Sequence, residues 1–178
     1  VDDETDLVLA GLAAFEDPAR ASAREAIKAL ARSGVTVKIV TGDNELVTRH
    51  LCAQIDMPVK ESLLGSELEG MSDTALAARA GQVDVFCRVT PPQKNRVIQA
   101  LRSRGHVVGY LGDGINDAPS LQSADVGLSV DGAVDVAREA ADLILLDADL
   151  RVVHRGVLEG RRTFGNILKY LMMATSSN

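Results

Sequence analysis

Val35-Thr36-Val37-Lys38-Ile39-Val40-Thr41-Gly42-Asp43-Asn44 decides the fold. A β-branched, mostly apolar run stops at a Gly-Asp turn and passes at once into helical apolar spacing at Leu46, Val47 and Leu51. A strand feeding a helix through a tight turn is half of a parallel βα unit, and the unit repeats on both sides. Upstream, Leu7–Phe15 is an apolar run; Asp17-Pro18 follows, then helical spacing at Ala23, Ala26, Ile27 and Leu30 that Gly34 stops. Downstream, residues 56–82 read as a surface loop with a short helix begun by Ser72 or Asp73. Val83–Val89 predicts a third strand, Pro91-Pro92 opens a helix through Val97, Ile98 and Leu101, and Val107–Leu111 predicts a fourth strand. A short helix (Pro119–Ala124), a strand (Val126–Val130), a helix (Val134–Ala141) and a strand (Leu143–Leu146) come next, and one long helix starts near Leu150. Nearly all-apolar strands alternating with helices predict a three-layer, doubly wound α/β fold with a mainly parallel sheet covered on both faces.

The 178 residues are 46% hydrophobic and 25% charged, ordinary globular usage. A chain of this size buries roughly 70% of its unfolded surface, so neither a disulfide nor a metal is needed to hold it together. Cys52 and Cys87 stand apart from any Cys/His cluster and are expected as buried free thiols in a reducing compartment. A formal charge of −6 and only five aromatics (Phe15, Phe86, Tyr110, Phe164, Tyr170) argue against a nucleic-acid partner, which needs a basic footprint and stacking platforms. No apolar run approaches the ~20 residues that cross a bilayer, and the acidic start (Asp2, Asp3, Glu4, Asp6) is the opposite of a secretory signal, so these residues are expected to be soluble. Charge is uneven: residues 1–150 hold 14 basic and 24 acidic side chains, residues 151–178 hold 5 and 1. A basic tail on an acidic body reads either as a solvated helix face or as a surface meeting an anionic membrane.

In open parallel sheets ligands bind beyond the carboxyl ends of the strands. The loops there deliver Asp17 after the first strand, Thr41, Gly42 and Asp43 after the second, Lys94 near the helix start after the third, and Asp113, Asn116 and Asp117 after the fourth. Carboxylates suit Mg²⁺, while a Thr hydroxyl, Gly N–H groups and a Lys ammonium neutralise phosphate oxygens, so the mixture points to phosphoryl transfer. Asp113 lies between two glycines that permit close backbone approach, and Asn116 and Asp117 sit at the next helix start, where an anion is favoured. Taken singly, Gly-Asp-Gly and Thr-Gly-Asp are turns and Asp43 or Asn44 an N-cap; it is their convergence with Lys94 that marks a site. His50, His106 and His154 show no metal spacing, and Asp142, Asp147 and Asp149 read as a solvated turn. A nucleophile or oriented water is still required, and no further carboxylate loop supplies one.

Phe15-Glu16-Asp17-Pro18, Thr41-Gly42-Asp43-Asn44, Pro92-Gln93-Lys94 and Gly112-Asp113-Gly114-Ile115-Asn116-Asp117-Ala118-Pro119 occur in the order and spacing of the phosphorylation domain of P-type ATPases. The chain resembles the C-terminal portion of that domain, within the haloacid-dehalogenase-like superfamily, and Ser129–Asp147 and Gly160–Asn178 look most like the magnesium-importing branch. The resemblance implies a Rossmann-like sheet in which Asp113 and Asp117 ligate Mg²⁺, Thr41 and Gly42 contact the phosphoryl group and Lys94 neutralises it. Asn116 and Asp43 complete those surroundings, and Asp17 lies on the nucleotide side. It further implies Mg²⁺ and ATP as cofactors of a cation pump that forms an aspartyl phosphate at the cytoplasmic face of the plasma (inner) membrane. Residues 1–150 would belong to the phosphorylation domain, and residues 151–178 would form a helix leading toward a membrane stalk.

The departures matter as much. The Asp-Lys-Thr-Gly motif that carries the acceptor Asp is absent, as are the nucleotide-binding, actuator and membrane domains. These are the expected partners, in the remainder of the same polypeptide, and the 178 residues alone are expected to be inactive. In the family the motif strand lies between the strands ending here at Thr41 and Asp113. An incomplete sheet is therefore expected, its edges covered by another strand, by strand exchange, by a dimer partner or by local rearrangement. Two other readings compete: a soluble phosphatase of the same superfamily, which needs Asp17 as nucleophile although Pro18 follows it and no second Asp stands two positions on, and a non-catalytic module that senses Mg²⁺ or phosphate.

Overall fold

The computed structural model describes residues 22–147 and 149–176. The first predicted strand and Asp17 lie outside the described residues. Two three-stranded parallel sheets follow one another along the chain. The first, in the order β1-β3-β2, contains β1 (Ile39–Val40), β2 (Ser62–Leu64) and β3 (Val85–Cys87). The second, in the order β4-β5-β6, contains β4 (Gly109–Leu111), β5 (Val126–Val130) and β6 (Leu143–Leu145). The helices are α1 (Ala23–Arg32), α2 (Glu45–Gln54), α3 (Gly65–Glu69), α4 (Asp73–Ala80), α5 (Pro91–Ser103), α6 (Ala118–Ser123), α7 (Asp135–Ala140) and α8 (Arg151–Ser176).

Local chemistry sets the helix ends. Gly34 takes φ +73° just beyond α1, a conformation that costs glycine little, and the Asn44 side chain accepts the Val47 N–H at 2.9 Å to cap α2. Ser72 caps α4 through the Ala75 N–H at 3.2 Å, and Pro91 begins α5 while Gln93 reaches back to the Thr90 N–H at 2.9 Å.

Strand β3 is the centre of the first core. Its period of two sends Phe86 to one face with Leu63, Leu68, Leu76 and Val97, and sends Val85 and Cys87 to the other with Ala23, Cys52, Ile55 and Met57. Helices α4 and α5 thus cover one face and α1 and α2 the other, the expected three layers. Both thiols are buried and unpaired, and burial pushes each up from its usual range.

The structure differs from the sequence reading in several places, among them the strand predicted at Val83–Val89, which shortens to Val85–Cys87. The predicted strand Val35–Val40 shortens to two residues, because its partner β3 begins only at Val85 and the ladder has nothing earlier to pair with. Val107–Leu111 shortens likewise to Gly109–Leu111. The segment read as a loop holds β2 and α3, anchored by the wholly buried Leu63 and Leu68. Coverage of the second sheet is uneven: α6 and α7 pack on β5, whereas Leu143 and Ile144 of the outer strand β6 are exposed.

Strands β1 and β4 are both outer strands, and among the described residues no strand joins them. The N–H groups of Ile39 and Thr41 bond to Asp84 and Phe86 at 3.0 and 2.9 Å, so alternation turns the backbone of Val40 to the opposite edge. Gly112 N–H bonds to Leu128 C=O at 3.0 Å and Val108 C=O serves β5 as well, which turns Gly109 and Leu111 outward. The expected covering of these edges is not found among the described residues.

Helix α8 has 26 residues, about 39 Å at 1.5 Å per residue, and none of them is buried. It is held to α1 near its start: Arg151 pairs with Glu25 at 3.4 Å, His154 Nε2 lies 2.9 Å from the Ser33 hydroxyl, and Arg161 donates to the Ser33 carbonyl. Among the described residues no helix is long and apolar enough to cross a membrane. Asp149 starts α8, accepting the Arg151 N–H at 2.9 Å and Nε at 2.7 Å, and these bonds lower its pKa from 3.8 to about 2. A carboxyl depressed in the folded state stabilises above its unfolded pKa and stops doing so as pH falls through the folded value. The melting temperature of the native chain should therefore drop faster between pH 4 and 2 than that of Asp149→Asn; parallel acid limbs would remove Asp149 as the cause.

Candidate functional site

The carboxyl end of β4 opens into a cleft of about 320 Å³ lined by Val40 from β1, Lys94 from α5, and Tyr110, Asp113 and Asp117 from β4 and the turn after it. Its floor is set by sequence. Gly112 is buried, and a Cβ there would lie 2.6 Å from Asp117 Cβ and 3.0 Å from Tyr110 Cε1, so only glycine lets the Asp117 side chain and the Tyr110 ring close over the strand end. Residues 115–117 form a 3-10 turn that returns Asp117 toward β4.

Asp117 is the hub. Its Oδ1 accepts from Lys94 Nζ at 2.7 Å and from Tyr110 Oη at 2.8 Å, and its Oδ2 accepts from Gly114 N–H at 3.2 Å. The Lys94 and Asp117 side chains are 16% and 12% exposed, so the pair is shielded from bulk water yet open on the cleft side. Burial opposes the charge of Asp117, but the bonds from Lys94, Tyr110 and Gly114 outweigh it and hold the carboxyl below its usual range. Burial, with the adjacent carboxylate, pushes the Tyr110 phenol far up, so its hydroxyl stays protonated and donates.

The structure thus brings Lys94, Asp113 and Asp117 to one cleft. Asp113 is exposed, with its backbone carbonyl fixed by the Val134 N–H at 3.2 Å. Thr41, Gly42 and Asp43 form a closed turn directly after the cleft residue Val40: the Thr41 hydroxyl donates to Asp43 Oδ2 at 3.0 Å and accepts the Asp43 N–H at 3.1 Å. Asn116 is exposed on the 3-10 turn and does not line the cleft. Asn44, rather than Asp43, caps α2. Mg²⁺ accepts one or two carboxylates and completes its shell with waters and phosphate oxygens. Asp113 and Asp117, either side of a turn, fit that demand, while no group of three or more His, Cys, Asp or Glu able to hold a metal occurs among the described residues. Sequence reasoning missed Tyr110. The available signal was a lone tyrosine within a short apolar strand, two residues before Gly112, since a buried phenol needs a partner.

A family model described as haloacid dehalogenase-like hydrolase matches residues 2–125. The "Magnesium-transporting ATPase, P-type 1" of Salmonella typhimurium is 54% identical over 176 residues, which is 99% of this chain and 20% of that protein. The "Probable cation-transporting ATPase F" of Mycobacterium tuberculosis is 38% identical over 179 residues, 97% of this chain and 20% of that protein. A solved structure of a zinc-transporting PIB-type ATPase matches with a TM-score of 0.69 at 26% identity, over 88% of this chain and 21% of that one. The chain therefore spans about a fifth of the length of the curated relatives it matches.

Proposed function

Because the chain belongs to the haloacid dehalogenase-like hydrolase family, we propose that it furnishes half of the phosphoryl-transfer site of an ATP-driven cation pump, with Mg²⁺ as the transported ion. The convergence of Lys94, Asp113 and Asp117 on a cleft beside the outward edges of β1 and β4 carries this reading. The 54% identity to a magnesium-transporting ATPase supports the choice of ion.

In this reading Asp113 and Asp117 hold the catalytic Mg²⁺, which when bound spreads the charge of the phosphate oxygens. Lys94 neutralises the transferred phosphoryl group, and the Thr41 hydroxyl and Gly42 N–H donate to its oxygens once Thr41 turns from Asp43. Asp43 and the exposed Asn116 complete the polar surroundings, and Asp17 serves the nucleotide side. The acceptor carboxylate arrives on a strand lying between β1 and β4, from another segment of the same polypeptide, and displaces ADP from the γ-phosphorus of ATP. Nucleotide-binding, actuator and membrane domains are the further partners. Helix α8 points toward the membrane at its cytoplasmic face: its distal turns carry an exposed apolar stripe (Phe164, Leu168, Leu171) and Arg161, Arg162 and Lys169.

The test uses ATP labelled at the γ-phosphate with the full-length polypeptide and, separately, with the 178 residues. Acid-stable, hydroxylamine-labile label is expected on the full-length polypeptide alone. Label on the isolated chain, or none on the full-length polypeptide, would overturn the proposal.

A further inference from the structure

Two donors share one oxygen at the hub, and only one of them has another task. Lys94 Nζ and Tyr110 Oη both bond Asp117 Oδ1, at 2.7 and 2.8 Å. Resting on the proposed function, Lys94 must reach the phosphoryl group during the reaction, and its bond to Asp117 weakens as it does so. Without the phenol, Asp117 at 12% exposure would keep the Gly114 N–H as its one remaining protein donor among these three, and its orientation toward the metal would be poorly fixed. Tyr110 has no such competing task, and its ring packs closely on Gly112, where a Cβ would lie 3.0 Å from Cε1.

We propose that Tyr110 is a positioning residue: its hydroxyl keeps Asp117 Oδ1 in place when Lys94 turns to the phosphoryl group, so the lysine can leave and return without the metal-binding carboxylate moving. The tyrosine acts through Asp117, and its contribution is largest when Lys94 is away.

Two measurements on the full-length polypeptide test this. The first is made without Mg²⁺ or nucleotide and reads hydrogen exchange in a peptide spanning residues 112–117, where the Gly114 amide donates to Asp117 Oδ2. Tyr110→Phe keeps the ring and removes the hydroxyl. It should speed exchange about two-fold in the native background and about ten-fold with Lys94→Met, where the phenol is the last side-chain donor on Oδ1. Equal acceleration in both backgrounds would overturn the proposal.

The second is the rate of phosphoenzyme formation, normalised to the sites that bind Mg·ATP so that any loss of folded yield cancels. Tyr110→Phe should lower kcat about ten-fold with KM for Mg·ATP within two-fold, and should add little to Asp117→Asn. An unchanged kcat, or a full additional loss on top of Asp117→Asn, would reject the positioning role. Absence of any phosphoenzyme in the native polypeptide would instead sink the proposed function, and this proposal with it.

Discussion

Replacing Lys94 by methionine in the full-length polypeptide is expected to lower the rate of phosphoenzyme formation by about 10²–10³-fold, the usual cost of removing one fixed donor from a charge-stabilising site. Methionine keeps the unbranched stem as far as Cε and lacks the ammonium, so the loss reports the charged head. Lys94 is held at 16% exposure on the wall of the cleft, where water screens it weakly.

A stability effect accompanies the rate effect and must be separated from it. Lys94→Met strips one of two side-chain donors from a shielded carboxylate, which should cost about 1.5–3 kcal/mol. Adding Asp117→Asn removes the stranded charge and should return most of that stability without restoring phosphoenzyme. If the double variant regained activity along with stability, Lys94 would be a structural cation and the reading of the cleft would fail.

The alternation of strand and helix was legible because the strands are written in consecutive apolar residues, most completely in β3, where Val85, Phe86 and Cys87 are all buried. Short ladders were not legible in their extent. Ile39–Val40 pairs over two residues because of where β3 begins, a fact residing in another segment. Strand β2 escaped notice because Ser62-Leu63-Leu64 is too brief for a period to show. At the site, the turn residues announced themselves through glycine and carboxylate spacing, and Lys94 through its place after Pro91-Pro92. The bond between Lys94 and Asp117 was not readable, because it joins α5 to the 3-10 turn across 23 residues of chain. Tyr110 was hidden for a different reason: within an apolar strand a tyrosine reads as core, and its 2.8 Å bond to Asp117 depends on the 3-10 turn folding back over Gly112.

Phe86→Ala is expected to destabilise the fold by about 3–5 kcal/mol, a large share of the roughly 5–15 kcal/mol that holds an ordinary domain together. Among the described residues Phe86 is the largest wholly buried side chain, on the central strand of the first sheet, and it fills the face where Leu63, Leu68, Leu76 and Val97 meet. Those neighbours come from β2, α3, α4 and α5, so the space left behind cannot be closed by moving one of them. Leu168→Ala on the exposed face of α8 serves as the control and should change stability by no more than about 0.5 kcal/mol. Urea unfolding followed by circular dichroism gives both values. Because the two sheets share no ladder among the described residues, the damage should be local at first: amides of β1, β2 and β3 should lose exchange protection in Phe86→Ala while those of β5 keep theirs. Uniform loss across both sheets would mean that α5 and α6, packed together, couple the halves into one cooperative unit despite the open edge between β1 and β4.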